Sequence, residues 1–468
     1  MREIDLLVEH ADYVVTMDPE RRIIGNGSLA VAKDTIIDLG PDEELAGRYL
    51  AKKRIDASGR FLFPGFITTH THLFQTLLKG LGRDKSLFEW LNSSVRVALH
   101  NYDPECMYWG AMTGLTEALR TGTTTVTDFQ YCHAVPGLDQ PVLDAYEDLG
   151  IRGVLSKSHT DVSGFSPEIA CEWIESEDEF IRDSDDLCCR YEHHPSISIS
   201  VAPGIIWDLS RRGYQLTREL ADKWKIPITM HLVETEDDDQ YAHANYGIGS
   251  IDLLEETGML GPDFVAVHSV YVTERDIERF KRYGVSVCHC PVSNMILASG
   301  TAPVPRFLRE GIPVSLGPDG AASNDSQDTL ELLKTTALLH KLVSKDASLV
   351  SAAEVLEMAT LGGARALLRE KEIGSLEIGK KADFFIYNPE HVRSIPVHDP
   401  ISSLVYSSTQ ANIETTVVAG RPLLENGILV TADEALIRRE TQRVASSLIR
   451  RSGLGNVQWG RRMGRCDE

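Results

Sequence analysis

The chain has 468 residues, 42% of them apolar and 25% charged, and a formal net charge of −22 at pH 7. This composition suits a globular protein, and the length admits two to four domains or one barrel with an accessory domain. The charge argues against nucleic acid or an anionic membrane as partner, because phosphate binding needs clustered Lys and Arg. No run of about 18 apolar residues is present to form a membrane helix.

The first residues, Met1 to His10, carry acids at once and no long apolar stretch, so no signal peptide is expected. With eight cysteines and no repeated CxxC frame, the chain reads as cytoplasmic with reduced thiols. Residues 1–57 read as short strands, at Leu6–Val8, Tyr13–Thr16, Ser28–Val31 and Thr35–Leu39. Eight β-branched runs follow: Leu62–Thr68, Thr123–Phe129, Gly153–Ser158, Ser196–Ala202, Pro227–Leu232, Phe264–His268, Val285–Cys290 and Pro313–Gly317. Helical periodicity fills the gaps, at Met107–Arg120, Pro141–Leu149, Leu216–Trp224, Ile251–Thr257, Glu274–Tyr283 and Val304–Arg309. Gly150, Gly284 and Gly311 each follow a helix and precede a strand, where a left-handed residue closes the helix. Eight strand–helix alternations predict an α/β fold, a (β/α)8 TIM barrel.

Strands return at Ala382–Tyr387, Thr415–Val418 and Arg421–Leu424, the last followed by the turn Glu425-Asn-Gly427. Neither end has enough strands for a core of its own. The expectation is therefore a small β-sandwich built from residues 1–57 and 376–468 around a barrel of residues 58–375. A final amphipathic helix is expected at about Ala432–Arg450, with a Gly- and Arg-rich tail beyond Ser452. The acid-rich runs Glu175–Asp186 and Glu234–Asp239 read as solvated surface.

In such barrels the chemistry sits at the carboxyl ends of the strands. The first strand leads into His70-Thr-His72, and residues i and i+2 of a strand share a face. The fifth carries His231 and then Glu234, the sixth ends in His268, and the eighth leads into Asp319. Three imidazoles and a carboxylate, His70, His72, His231 and Asp319, would hold one divalent ion. A second ion would need a bridging carboxylate or carbamylated Lys, and Ser196–Pro203 offers none. Zn²⁺ suits the set, with Fe²⁺ and Mn²⁺ as alternatives. Such an ion lowers the pKa of water to about 7. Asp319 could then accept its proton, His268 could hydrogen-bond the water or the developing alkoxide, and Glu234 could shuttle a proton to a ring nitrogen and the leaving group. Cys288, His289 and Cys290 are not read as a zinc site, because alternation puts the histidine on the opposite face from the thiols.

These residues lie in motifs that resemble the amidohydrolase superfamily: Pro64-Gly-Phe-Ile-Thr-Thr-His-Thr-His72, His231-Leu-Val-Glu234, Val267-His-Ser269, His289-Cys-Pro-Val-Ser-Asn294, and Leu316 through Asp325. Ile373 through Asp383 is similar to the family's return into its sandwich. The branch resembled holds S-adenosylhomocysteine/methylthioadenosine deaminases, guanine- and cytosine-type deaminases and s-triazine hydrolases. The resemblance implies a metal-dependent aminohydrolase acting on an amidine-like carbon of a free nitrogen heterocycle (a purine, pyrimidine, pterin or adenosine derivative), and a homo-oligomer. It carries over the four ligands named above, with Glu234 as proton shuttle and His268 as stabiliser of the water or intermediate.

For the substrate, Gln75 could read a ring edge, Trp90 could stack on a flat ring, and His289 could donate or accept a hydrogen bond. Relatives that bind oxo-purines resemble one another in an Arg near the third strand, where this chain has Lys157 and His159; the departure weakens a guanine or 8-oxoguanine assignment. Leu297 through Pro305 is similar to the adenosine-derivative and triazine groups. A triazine hydrolase releasing chloride or an alkylamine is thus the alternative. A cyclic-amide hydrolase, which usually needs two metals, and a scaffold without activity are weaker readings, since no ligand is missing.

Overall fold

The structure is a computed structural model, and it describes residues 1–131, 133, 135–162 and 174–455; the Gly- and Arg-rich tail noted above falls largely outside that range. Among the described residues seventeen strands form two sheets. Strands β6 (Phe66–Thr71), β7 (Thr123–Gln130), β8 (Arg152–Ser158), β9 (Ile197–Ala202), β10 (Ile228–Leu232), β11 (Phe264–His268), β12 (Ser286–His289) and β13 (Val314–Leu316) close into a parallel barrel. The protein is a (β/α)8 barrel with a small additional sheet domain.

The second sheet has nine strands drawn from both regions flanking the barrel. They are β1 (Arg2–Val15), β2 (Ile23–Ala32), β3 (Thr35–Pro41), β4 (Tyr49–Asp56), β5 (Phe61–Pro64), β14 (Phe384–Tyr387), β15 (Ile413–Val418), β16 (Arg421–Glu425) and β17 (Ile428–Leu429). Strand β1 pairs with β4 along its first half and with β5 along its second. A bulge between Val8 and Ala11, with His10 in the left-handed region, separates the halves. The sequence hides β4 because Tyr-Leu-Ala-Lys-Lys-Arg-Ile-Asp is a charged strand with one residue in two exposed, rather than an apolar run.

The expected first barrel strand, Leu62–Thr68, is two strands. β5 belongs to the terminal sheet, β6 to the barrel, and the change falls at Gly65. A side chain at 65 would collide with Thr124, its Cβ lying 2.1 Å from the hydroxyl oxygen, so the crossing point needs glycine. Alternation then divides the residues: Leu62, Phe384 and Ile386 enter the sheet's own core, while Phe61, Phe63, Phe385 and Tyr387 face the barrel. Stacked pairs Phe61–Tyr387 and Phe63–Phe385, at 5.7 and 5.4 Å between centroids, form the seam. Beside it the buried Arg152 of β8 donates two hydrogen bonds to Asp383, at 2.8 and 3.1 Å. Removing one partner of such a pair costs about 3–5 kcal/mol, because the other charge is left buried and alone.

The two ends of the barrel differ. At the amino end Ile67 and Val154 pack with Ala364, Leu367 and Ile373 and close it with apolar side chains. Toward the carboxyl end the lining turns polar, with Thr69 bonded to Ser315 and Ser156 to Ser200. The elements beyond β13 include a helix at Thr329–Ser344, and the last helix spans Glu434–Arg451, near its expected place. The acidic runs supply the first turns of helices Glu177–Tyr191 and Glu236–Tyr246, where carboxylates complement the amino-terminal dipole, but the second run is not all solvated surface, since Glu234 and Asp238 are buried.

Candidate active site

His70 ends up beside the barrel axis through an irregularity. The register of β6 against β7 shifts between Thr68 and Thr71, and His72 lies just past the strand. His70, His72 and His231 each offer a ring nitrogen within 4.8 Å of the others, and the ring nitrogens of His70 and His268 lie within the same distance of each other and of an Asp319 carboxylate oxygen. The Nε2 atoms of His72 and His231 are 3.3 Å apart. Asp319 Oδ1 is 3.4 Å from His70 Nε2 and 3.3 Å from His72 Nε2. Phe129 packs edge-on against His70 and His72 and tilted against His231, excluding water from their far sides.

The outer hydrogen bonds set the tautomers. His72 donates from Nδ1 to the Phe129 carbonyl at 2.8 Å, and His231 donates from Nδ1 to the Gly204 carbonyl at 3.1 Å. Both Nε2 lone pairs therefore face one another with no proton between them. Neither ring nitrogen of the fully buried His70 has a hydrogen-bond partner. Burial, reinforced by the neighbouring imidazoles, holds His231 neutral far below its ordinary range and lowers His72 to about 3. Asp319 moves the other way: burial would raise it, but the His70 imidazole 3.4 Å away and the other imidazoles around it keep it ionised well below the carboxylate range. Its backbone is left-handed, φ 64°, and is pinned by Thr71 and Gln327, which donate to its carbonyl at 2.9 Å each. Facing lone pairs, an orphaned imidazole and an ionised carboxylate are an unstable arrangement alone and a coherent one around a divalent cation, so this donor set fits a metal.

Glu234 reaches the same space by a strained turn. Val233, a β-branched residue at φ 44°, reverses the chain after β10 and is held by Val270 and Tyr271, whose amides donate to its carbonyl at 3.2 and 3.0 Å. Glu234 is 3% exposed, and burial raises its pKa; the charge of His268 opposes this and that of Asp319 adds to it. Its Oε2 lies 3.5 Å from His268 Nε2, and its Oε1 accepts from Ser299 at 2.9 Å. His268 bonds Asn294 Oδ1 through Nδ1 at 2.8 Å. Neither Asn294 nor Ser299 was singled out from the sequence. Both lay in plain view inside segments that carried the resemblance, but nothing local marks an Asn or a Ser as the partner of a group from another strand.

The three residues expected to touch substrate have different surroundings. Gln75 is buried beside the centre: its Nε2 donates to Tyr131 at 2.7 Å, and its Oε1 has no partner. It fills the space a side chain at Gly320 would take. Trp90 is 5% exposed in the hydrophobic core, with its indole N–H donating to the Ala322 carbonyl at 3.2 Å. His289 bonds His340 of helix Thr329–Ser344 through Nε2 at 3.0 Å, while Cys288 and Cys290 bring their sulfurs within 4.0 Å of each other. Lys157 also points away from the barrel interior, to Asp139 and Glu175.

A (β/α)8 barrel whose strand ends gather imidazoles, one ionised carboxylate and a buried Glu with a raised pKa defines a metal-dependent hydrolase. Residues 61–423 match the Amidohydrolase family, and the chain belongs to that family. It is 36% identical over 436 residues to the 5-methylthioadenosine/S-adenosylhomocysteine deaminase of Syntrophobacter fumaroxidans, spanning 93% of this chain and 96% of that protein. It is 34% identical over 425 residues to the 5'-deoxyadenosine deaminase of Methanobrevibacter smithii, spanning 90% and 94%. Its fold is similar to that of an adenosine deaminase from Xanthomonas campestris with bound zinc, at 30% identity and a TM-score of 0.90, over 96% of this chain and 99% of that one.

Proposed function

We propose that this hydrolytic deaminase acts on an adenosine derivative, replacing the amino group of the purine ring by oxygen and releasing ammonia. The observation that carries the reading is the pairing of Glu234, buried with a raised pKa, against His268 at 3.5 Å beside the imidazole and carboxylate cluster. The similarity to deaminases named for methylthioadenosine, S-adenosylhomocysteine and 5'-deoxyadenosine supports the adenosine class.

His70, His72, His231 and Asp319 would hold the cation; zinc suits the donors, with iron or manganese as alternatives. Bound there, a divalent cation would acidify water for attack at neutral pH. Glu234, kept protonated more readily by burial, donates to the ring nitrogen beside the amino-bearing carbon and makes that carbon electrophilic. Asp319 or His268 takes the proton of the attacking water. Glu234, recharged, delivers a proton to the amine, and the C–N bond breaks as the C–O bond becomes a carbonyl. Water and the aminopurine are consumed; the oxopurine and ammonia are formed. Gln75, with a free acceptor oxygen close to the centre, is the side chain we assign to substrate recognition. Trp90 and His289 are proposed to act on the substrate only through the walls they support.

No described helix is long and apolar enough to cross a membrane, and the net charge of −22 supports a small-molecule substrate rather than nucleic acid. We place the protein in the cytoplasm as a homo-oligomer, which light scattering after gel filtration would check. The activity is tested by assaying metal-loaded enzyme for ammonia release against adenosine derivatives, guanine, cytosine, isocytosine, pterins and aminotriazines. The highest kcat/KM is expected for a 5'-modified adenosine. Preference for guanine or a pterin, or chloride release from a chlorotriazine, would overturn the substrate assignment.

A further inference from the structure

The two proton-transfer groups come from different strands, yet one short arc touches both. Asn294 lies in helix Pro291–Ile296, which follows β12, and Ser299 lies on the loop beyond it. The Ser299 amide donates to the Asn294 carbonyl at 2.9 Å, and Ala298 between them is left-handed at φ 53°. The arc is therefore closed on itself, and its two polar side chains leave it at a set separation. One is the acceptor for His268 Nδ1, at 2.8 Å; the other donates to Glu234 Oε1, at 2.9 Å. All four residues are at most 5% exposed, so water does not compete for these bonds.

The chemistry of each bond has a consequence. An amide oxygen accepts only if His268 Nδ1 carries a proton; in the neutral ring this leaves the Nε2 lone pair facing Glu234 Oε2 at 3.5 Å, and in the imidazolium it places the second proton there. A hydroxyl on Oε1 keeps the carboxylate from rotating and makes Oε2 the oxygen that exchanges the proton. We propose that Asn294 and Ser299 are positioning residues: the arc 294–299 selects the His268 tautomer and aims Glu234 at it, so that the proton moves between Oε2 and Nε2. The proposal rests on the deaminase reading, in which Glu234 carries the proton.

The test uses full-length, metal-loaded enzyme carrying Ser299→Ala, Ser299→Thr, Asn294→Leu or Asn294→Asp, with metal content and melting temperature measured alongside kinetics. Ser299→Ala should lower kcat about tenfold, the worth of one buried hydrogen bond to a charged group, and leave KM within about twofold. Ser299→Thr, which restores the hydroxyl, should recover most of the loss. Long-range ¹H–¹⁵N correlation spectra of histidine-labelled protein report the tautomer directly. His268 should be protonated at Nδ1 in the parent and in Asn294→Asp, and at Nε2 or mixed in Asn294→Leu. Unchanged kcat in Ser299→Ala, an unchanged tautomer in Asn294→Leu, or a loss that Thr does not rescue and that tracks metal content would each overturn the proposal. Glu234→Gln separates this from the wider reading. Turnover that survives in Glu234→Gln removes the deaminase mechanism, whereas an inactive Glu234→Gln beside fully active arc variants removes only the arc.

Discussion

Two buried polar clusters lie at the carboxyl end of the barrel, and their difference shows what marks a site. In the first, His70, His72, His231 and Asp319 turn lone pairs and charge toward one another, with Asp319 Oδ1 3.4 Å from His70 Nε2. In the second, outside the barrel wall at the end of β8, Lys157 Nζ lies 3.2 Å from Glu175 and 3.8 Å from Asp139, and His159 lies 3.5 Å from Glu175 and stacks on Phe180. The second sets a cation of its own, Lys157, against its carboxylates; the first places an ionised carboxylate among neutral imidazoles and holds no cation of its own. Burial of polar side chains is common to both, and only the missing counterion separates chemistry from architecture.

The sharpest way to break this comparison is to remove a group from each side. Asp319→Ala should lose bound metal and at least about three orders of magnitude in kcat/KM, read by atomic absorption and ammonia release. Lys157→Met should keep its metal; loss of metal there would join the clusters into one functional unit. Glu234→Gln should keep the metal and lose about 10²–10⁴-fold in kcat with KM little changed. On the other side, Lys157→Met removes the buried cation between Glu175 and Asp139 and should cost about 3–5 kcal/mol in urea denaturation.

The smallest effect is an acid titration. Burial alone would raise Glu175, but the His159 imidazole at 3.5 Å and the Lys157 charge outweigh it and hold the carboxyl at about 2, against an ordinary 4.5. A folded-state pKa below the unfolded one gives stability that is complete above about pH 4.5 and lost as pH falls toward 2, because the unfolded chain binds the proton first. The difference in urea stability between the parent and Glu175→Gln should therefore narrow across that range. A difference that stays constant would show that Glu175 is not held ionised by its neighbours.

Much of this was legible from the residues. The eight strand positions followed from short β-branched runs between amphipathic segments, since both faces of a parallel barrel are buried and its strands read as apolar blocks. Strand ends then pointed to His70, His72, His231, His268 and Asp319, because the fold brings all strand carboxyl ends to one rim. The errors have equally physical origins. Leu62–Thr68 read as one strand because an apolar run does not show that its residues serve two sheets on either side of Gly65. Other surroundings were simply not legible: that the Trp90 indole donates to the Ala322 carbonyl depends on the backbone path, and that His289 bonds His340 depends on where a later helix packs. Asn294 and Ser299 act across 26 and 65 positions of chain, and no periodicity reaches that far.

The shared sheet also bears on the order in which the protein is made. β5 emerges early in synthesis with one edge paired to β1, and its other neighbour, β14, is translated only after every strand of the barrel. The nascent polypeptide must carry an open, aromatic-rich edge throughout that interval, which is the kind of surface that recruits chaperones or aggregates. Expression trials at lowered temperature, where elongation slows and hydrophobic association weakens, are thus expected to favour soluble product, and the last strands to arrive serve as the closing seam of a domain begun by the first.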